Sequence, residues 1–407
     1  MRLIASITLI ASVAACGPHR LDPPRVLTPD AAPRVVGYLF APAARAPGLI
    51  AALPANALTH LNYAFANISP AGTMVLGNPC LDAGACDTTQ ALPDTLGGQF
   101  AELARLKAAH PHLRMLMAIG GWTWSGRFSD VALSDSARKT FVASGMELFI
   151  RRWPGLFDGF DIDWEFPVAG GLAANAARPE DRENFTLLLA ELRRQLDDES
   201  VRTGRKYTLT AALNAHAPRV DHVQFDRITP LLDWINVMTY DFHGGSPIAN
   251  FNAPLRSPSG DPAPSYNVDS SVAMYLVAGV PAAKIVVGVP FYGRTFGGVS
   301  PEHDGLLQPA SAPAPADVTA GGMDYKAIVA KQFEAKGFQR HWDAIAQVPW
   351  LYNPESGAWI TYDDEQSIAA KADYAHDRAL GGVMIWQVAG DDGGKLTTII
   401  AHRLLRR

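Results

Sequence analysis

From residue 35 onward, short apolar runs alternate with longer segments of helical periodicity. The runs are Val35–Phe40, Leu61–Phe65, Met115–Gly120, Gly159–Phe166, Tyr207–Leu213, Ile235–Tyr240, Ile285–Phe291 and Gly382–Gln387. They are short and rich in β-branched or aromatic residues, the pattern of buried strands. Gln99–Ala109, Ala137–Arg152, Arg182–Gln195 and Glu365–Arg378 read as helices between them. Strands alternating with helices predict an α/β fold with a parallel sheet, and eight such units predict closure as a (β/α)8 TIM barrel. Periodicity alone leaves a doubly wound sheet open; the count decides for the barrel, over 35–295 and 361–407. The stretch 296–360 is too long for one helix. It holds a Pro/Ala-rich segment (309–315), an amphipathic one (Tyr325–Lys336) and several aromatics. This predicts a small α+β insertion between the seventh and eighth strands, on the face where barrel loops build active sites, as one wall of a cleft.

One run breaks the apolar rule. In Phe157-Asp158-Gly159-Phe160-Asp161-Ile162-Asp163-Trp164-Glu165-Phe166-Pro167, side chains of a strand alternate faces. Asp161, Asp163 and Glu165 share one face; Phe160, Ile162, Trp164 and Phe166 share the other. The apolar face can pack under helices, which leaves three acids directed into the barrel, a placement that packing alone disfavours. Successive members lie roughly 6–7 Å apart at Cα. Like charges this close cannot all ionise, so their pKa values are driven apart and a proton is retained. A carboxylic acid kept protonated in this way can serve as a general acid. Glu165, last in the row, falls at the open end of the strand, where barrel chemistry sits. Asp158 has the opposite parity and belongs to the start of the strand. Carboxylate clusters also suit Mg²⁺ or Ca²⁺, but no phosphate loop, HExxH or Cys/His spacing accompanies this one. Neither a metal nor another cofactor is expected.

Composition adds bounds. A hydrophobic share of 48% and a charged share of 18% over 407 residues describe a globular protein with a real core. A net charge of −5 gives no basic footprint for nucleic acid or anionic lipid and suits an uncharged ligand. The first residues are different in kind: Met1-Arg2 is followed by an uncharged apolar run, Leu3–Ala15, too short to span a bilayer. Residues 1–16 therefore read as an export signal. It ends in Val13-Ala14-Ala15-Cys16-Gly17, which resembles a bacterial lipobox and would make Cys16 a lipid anchor; plain cleavage after Ala14 or Ala15 is the alternative. Residues 17–34, with five prolines, read as an extended tether. Cys80 and Cys86 remain as an even pair, either a local disulfide in an oxidising compartment or two thiols. A monomer is the expected oligomeric state.

The segment Asp158-Gly159-Phe160-Asp161-Ile162-Asp163-Trp164-Glu165 resembles the signature of the family 18 glycoside hydrolases. Further segments agree with that family in order: Ala118-Ile119-Gly120-Gly121-Trp122, Met238-Thr239-Tyr240-Asp241-Phe242, Gly288-Val289-Pro290-Phe291-Tyr292-Gly293-Arg294 and Gly382-Val383-Met384-Ile385-Trp386. Val348–Asn353 and Ile360–Asp364 look like the end of the insertion of deep-cleft bacterial chitinases. The resemblance implies chitin or chitooligosaccharides as substrate and a retaining, substrate-assisted reaction, an exception to the usual pair of enzyme carboxylates. It implies Glu165 as general acid, Asp163 as partner of the sugar's acetamido group, Asp161 sharing a proton with Asp163, and Tyr240 holding the acetamido group. It further implies Trp386 as an aromatic floor, Trp122 on the leaving-group side, and Met238, Asp241, Tyr292 and Arg294 shaping the cleft. Tyr292 fits a purely structural role as well. Tyr38 matches a hydroxyl near the buried aspartate, and Phe65 a wall of the site. His243, without an evident partner in the sequence, reads as structural.

This chain departs from the family at Ala118, where a Ser commonly hydrogen-bonds the first acid of the row. Weaker support of the charge on Asp161, and so an altered pH dependence, is expected. Two other readings stay within reach of the fold: a carbohydrate-binding lectin, which the presence of Glu165 opposes, and an endo-β-N-acetylglucosaminidase.

Overall fold

A computed structural model describes residues 32–87, 89–315 and 318–405. The apolar leader, Cys16 and most of the proline-rich tether lie outside the described residues. Eight strands close into a barrel, every neighbouring pair parallel. In chain order they are Arg34–Phe40, His60–Ile68, Arg114–Gly120, Gly159–Asp163, Thr208–Asn214, Trp234–Met238, Ile285–Pro290 and Gly382–Trp386. They coincide with the eight apolar runs, because a parallel strand buried on both faces must be apolar nearly throughout. The exception is the fourth, which stops at Asp163 rather than running to Phe166.

The helices pack outside. Phe160 meets Phe149, and Trp164 stacks on Phe128 and meets Phe185 edge-on. Each such buried side chain contributes about 1.5–3 kcal/mol of hydrophobic stabilisation. The helix expected over Ala137–Arg152 runs as Asp135–Gly145, capped by Ser134, and continues into a wider π-type turn. Two helices escaped the sequence reading, Val268–Val277 and Lys395–Leu405. Asp391 lies four residues before the second, and its carboxylate accepts the N–H groups of Leu396 and Thr397 in that helix's first turn.

Between the seventh and eighth barrel strands, residues from Tyr292 to Thr361 form a second, six-stranded antiparallel sheet. Its core joins Phe296, Val348, Trp350, Tyr352 and Trp359 to Phe251, which arrives from the loop after the sixth barrel strand. The sheet is thereby fastened to the open end of the barrel. Cys80 and Cys86 are joined as a disulfide. No described helix is long and apolar enough to cross a membrane.

Candidate active site

The parallel register sets a row across three strands: Asp161 on the fourth stands between Ala118 on the third and Thr210 on the fifth. Asp161 is fully buried, and its carboxylate meets three donors. Tyr38 donates to Oδ2 at 2.5 Å; Thr210 at 2.5 Å and the Asn236 amide at 3.0 Å donate to Oδ1. Burial pushes this carboxyl above its ordinary value, while the donors from Thr210, Tyr38 and Asn236 pull it back. Neighbouring strands supply hydrogen-bond donors to Asp161, whereas the methyl group of Ala118 supplies none. Asp158, of opposite parity, lies buried at the start of the strand, paired with Lys107 at 2.5 Å and Arg205 at 3.1 Å.

Asp163 is also buried, but its Oδ1 has no hydrogen-bond partner among the described residues. Burial, then the negative charges of Glu165 and Asp161, hold its carboxyl well above the ordinary range. Both buried carboxyls are raised, and Asp163 the more strongly, because the donors that reach Asp161 have no counterpart at Asp163 Oδ1. Glu165 lies beyond the strand. Its N–H donates to Ser125 Oγ at 2.8 Å, and its carbonyl accepts from Asn175 at 3.1 Å. These anchors, rather than continued strand pairing, hold Glu165 against the cleft, which it lines.

Tyr240, buried beside them, has the Met384 sulfur, a weak acceptor, as hydroxyl partner at 3.8 Å. Burial is the main cause of its raised pKa. Asp241 takes a positive φ of 58°, tolerated by a short polar side chain, and its N–H donates to Asn252. Its Oδ1 accepts from Tyr292 at 2.7 Å and from Arg294 Nε at 2.8 Å. Trp386 is half-buried. It stacks on Phe65 with ring centroids 5.6 Å apart and leans on Tyr38 and Phe40. Trp122 is 48% exposed at the cleft rim.

The cleft encloses about 930 Å³ and is lined by Trp122, Glu165, Met238, Tyr240, Asp241 and Arg294, with the second sheet contributing Thr295 to Gly297 as a wall. Asp161, Asp163 and Tyr38 lie in the barrel interior behind this lining; Phe65 and Trp386 form a separate aromatic stack, and Tyr292 braces Asp241. His243 is buried, with its Nδ1 3.5 Å from the Asn250 amide nitrogen and its Nε2 3.8 Å from Asp261, too far to hydrogen-bond. Burial lowers its pKa against the pull of Asp261. Ser125, Thr210 and Asn236 were missed, although Thr210 and Asn236 are polar residues at barrel positions where strands are otherwise apolar. Among the described residues no group of three or more His, Cys, Asp or Glu could hold a metal ion.

Comparison with known proteins places this geometry. The chain is 37% identical to Chitinase A1 of Niallia circulans over 88% of its own length, and spans 56% of that relative's length. Among solved structures it resembles chitinase ChiA74 of Bacillus thuringiensis, with a TM-score of 0.85 and 35% identity, covering 92% of this chain and 70% of that one. It also resembles a class V chitinase of Nicotiana tobaccum solved with NAG4, with a TM-score of 0.76 and 27% identity over 91% of this chain and 99% of that one. The profile described as Glycosyl hydrolases family 18 matches residues 34–391. With the barrel, the acid row and its cleft in place, the chain belongs to glycosyl hydrolase family 18.

Proposed function

We propose that the protein is a chitinase that hydrolyses β-1,4-linked N-acetylglucosamine chains with retention of configuration, using Glu165 as general acid and then base. The observation that carries this reading is the pairing of Asp163 with Tyr240. Among the described residues, a buried carboxyl with an unpartnered oxygen lies behind Glu165, and a buried hydroxyl nearby has a thioether as its acceptor. An acetamido group offers what both lack, an N–H donor and a carbonyl acceptor.

Glu165 gives its proton to the glycosidic oxygen as the bond to the anomeric carbon breaks. The substrate's acetamido oxygen attacks that carbon and forms an oxazolinium ion, whose positive N–H is balanced by Asp163 as the proton held there passes to its neighbour Asp161. Tyr240 holds the acetamido oxygen in line. Water, deprotonated by Glu165, then opens the ring and leaves the β anomer. A tethered nucleophile supplies effective molarities of about 10⁵–10⁸ M. General acid catalysis contributes about 10²–10⁴-fold. No enzyme nucleophile is required. Trp386 serves as the floor beneath the sugar, Trp122 faces the leaving group, and Met238, Asp241 and Arg294 shape the cleft. The leader over residues 1–16 exports the protein, with Cys16 as lipid anchor, and it acts as a monomer.

The test is hydrolysis of chitotetraose by the parent and by Glu165→Gln, with the anomer of the product followed by NMR. The β anomer from the parent, and binding without cleavage by the variant, is the expected result. Tight binding without cleavage by both proteins would establish a lectin instead.

A further inference from the structure

We propose that Thr210 is a positioning residue that keeps Asp161 ionised, in place of the hydroxyl this chain lacks at Ala118. The inference rests on the catalytic reading of the acid row.

The register carries the argument. Ala118 and Thr210 flank Asp161 on its two neighbouring strands, and side chains in register on parallel strands share a face. The methyl group of Ala118 cannot donate, so the hydroxyl comes from the other side, at 2.5 Å. One of the remaining partners is locked. The Trp234 indole N–H can only donate, and it donates to Asn236 Oδ1 at 2.9 Å. The Asn236 amide must therefore turn its NH₂ toward Asp161 Oδ1, and toward the Tyr38 oxygen at 3.3 Å. Tyr38, accepting there, sends its own proton to Asp161 Oδ2. The Asn236 amide cannot reverse, whereas the hydroxyls of Tyr38 and Thr210 can. Of these two, Thr210 stands in register with Asp161, opposite Ala118.

Charge does not help. The titratable groups that face Asp161 are Tyr38 from the first strand and Asp163 from its own; Glu165, beyond the strand, and Tyr240, beyond the sixth, face Asp163. The second, third, fifth and sixth strands present neutral Asn62, Ala118, Thr210 and Asn236. Among the described residues no cation pairs with this carboxylate, so donors alone hold its charge.

The experiment is the pH dependence of kcat on chitotetraose for the parent, Thr210→Val, Thr210→Ser, Ala118→Ser and Ala118→Ser/Thr210→Val, with Glu165→Gln alongside. Loss of one hydrogen bond to a charge moves the acidic limb of Thr210→Val up by about one pH unit. Thr210→Ser keeps the parent limb, and Ala118→Ser alone leaves it in place. The double variant brings the limb back, which a merely structural Thr210 would not do. Thr210→Ala, which removes the same hydroxyl without added bulk, gives the same shift and stands in if the Val variant does not fold. An unmoved limb in Thr210→Val and Thr210→Ala, or no return in the double variant, overturns the proposal while an inactive Glu165→Gln leaves the catalytic reading intact. An active Glu165→Gln overturns that reading, and the proposal with it.

Discussion

Ser125 Oγ accepts the backbone N–H of Glu165 at 2.8 Å, and the same oxygen lies 2.9 Å from the Gly121 carbonyl and 3.1 Å from that of Asp163. One fully buried hydroxyl thus ties the end of the third-strand loop to the backbone on which the acid is carried. Ser125→Ala is expected to lower kcat by about 10²-fold with little change in KM, since a small misplacement of a reacting group costs that much. Steady-state kinetics would check it; a variant with parental kcat would show that Glu165 is held by other contacts.

Asp163→Asn should reduce kcat by about 10²–10³-fold, the loss typical of one preorganised electrostatic contact. It should also change the pH dependence of stability. The folded pKa of Asp163 is raised by burial, so its contribution is full below the unfolded value of about 3.9 and is lost as pH rises toward the folded one. The neutral Asn has no such dependence. Melting temperatures of parent and variant should diverge above about pH 4, with the parent falling relative to the variant. Parallel curves would mean that Asp163 is not protonated in the folded state.

The two cleft tryptophans should separate cleanly. Trp386 packs on Phe65, Tyr38 and Phe40, so Trp386→Ala is expected to lower kcat/KM by about 10–100-fold and to destabilise the protein as well. Trp122 is 48% exposed, and Trp122→Ala should weaken substrate binding while leaving stability within about 0.5 kcal/mol. Equal losses of stability in both variants would contradict this division.

Gly288 sets the room for Tyr240. A Cβ there would lie 2.7 Å from Tyr240 Cε1 and 2.7 Å from the Val237 carbonyl oxygen. Backbone cannot yield cheaply, so Gly288→Ala should displace the tyrosine ring, cost about 1–3 kcal/mol of stability and lower kcat more than it raises KM. Chemical denaturation and kinetics of the one variant would test both halves, and parental values in both would show that the space is available.

What the sequence determined by itself is what local pattern can carry. Apolar β-branched runs such as Val35–Phe40 and Ile285–Phe291 mark buried parallel strands, because they are apolar on both faces yet too short and too β-branched for a buried helix. Alternation within Gly159–Asp163 directs Asp161 and Asp163 to one side by the pleat alone. Tertiary structure decided whatever depends on contacts between distant residues. The fourth strand ends at Asp163, and Ser125 and Asn175 then hold Glu165. The donors to Asp161 come from three other strands, which the residue at position 118 by itself could not reveal. His243 comes near Asp261 and Asn250 only because the loop after the sixth strand folds back on itself. Period and parity act over neighbouring residues along one strand, whereas hydrogen-bond partners and desolvation are set by whichever chain segment closure of the barrel brings alongside.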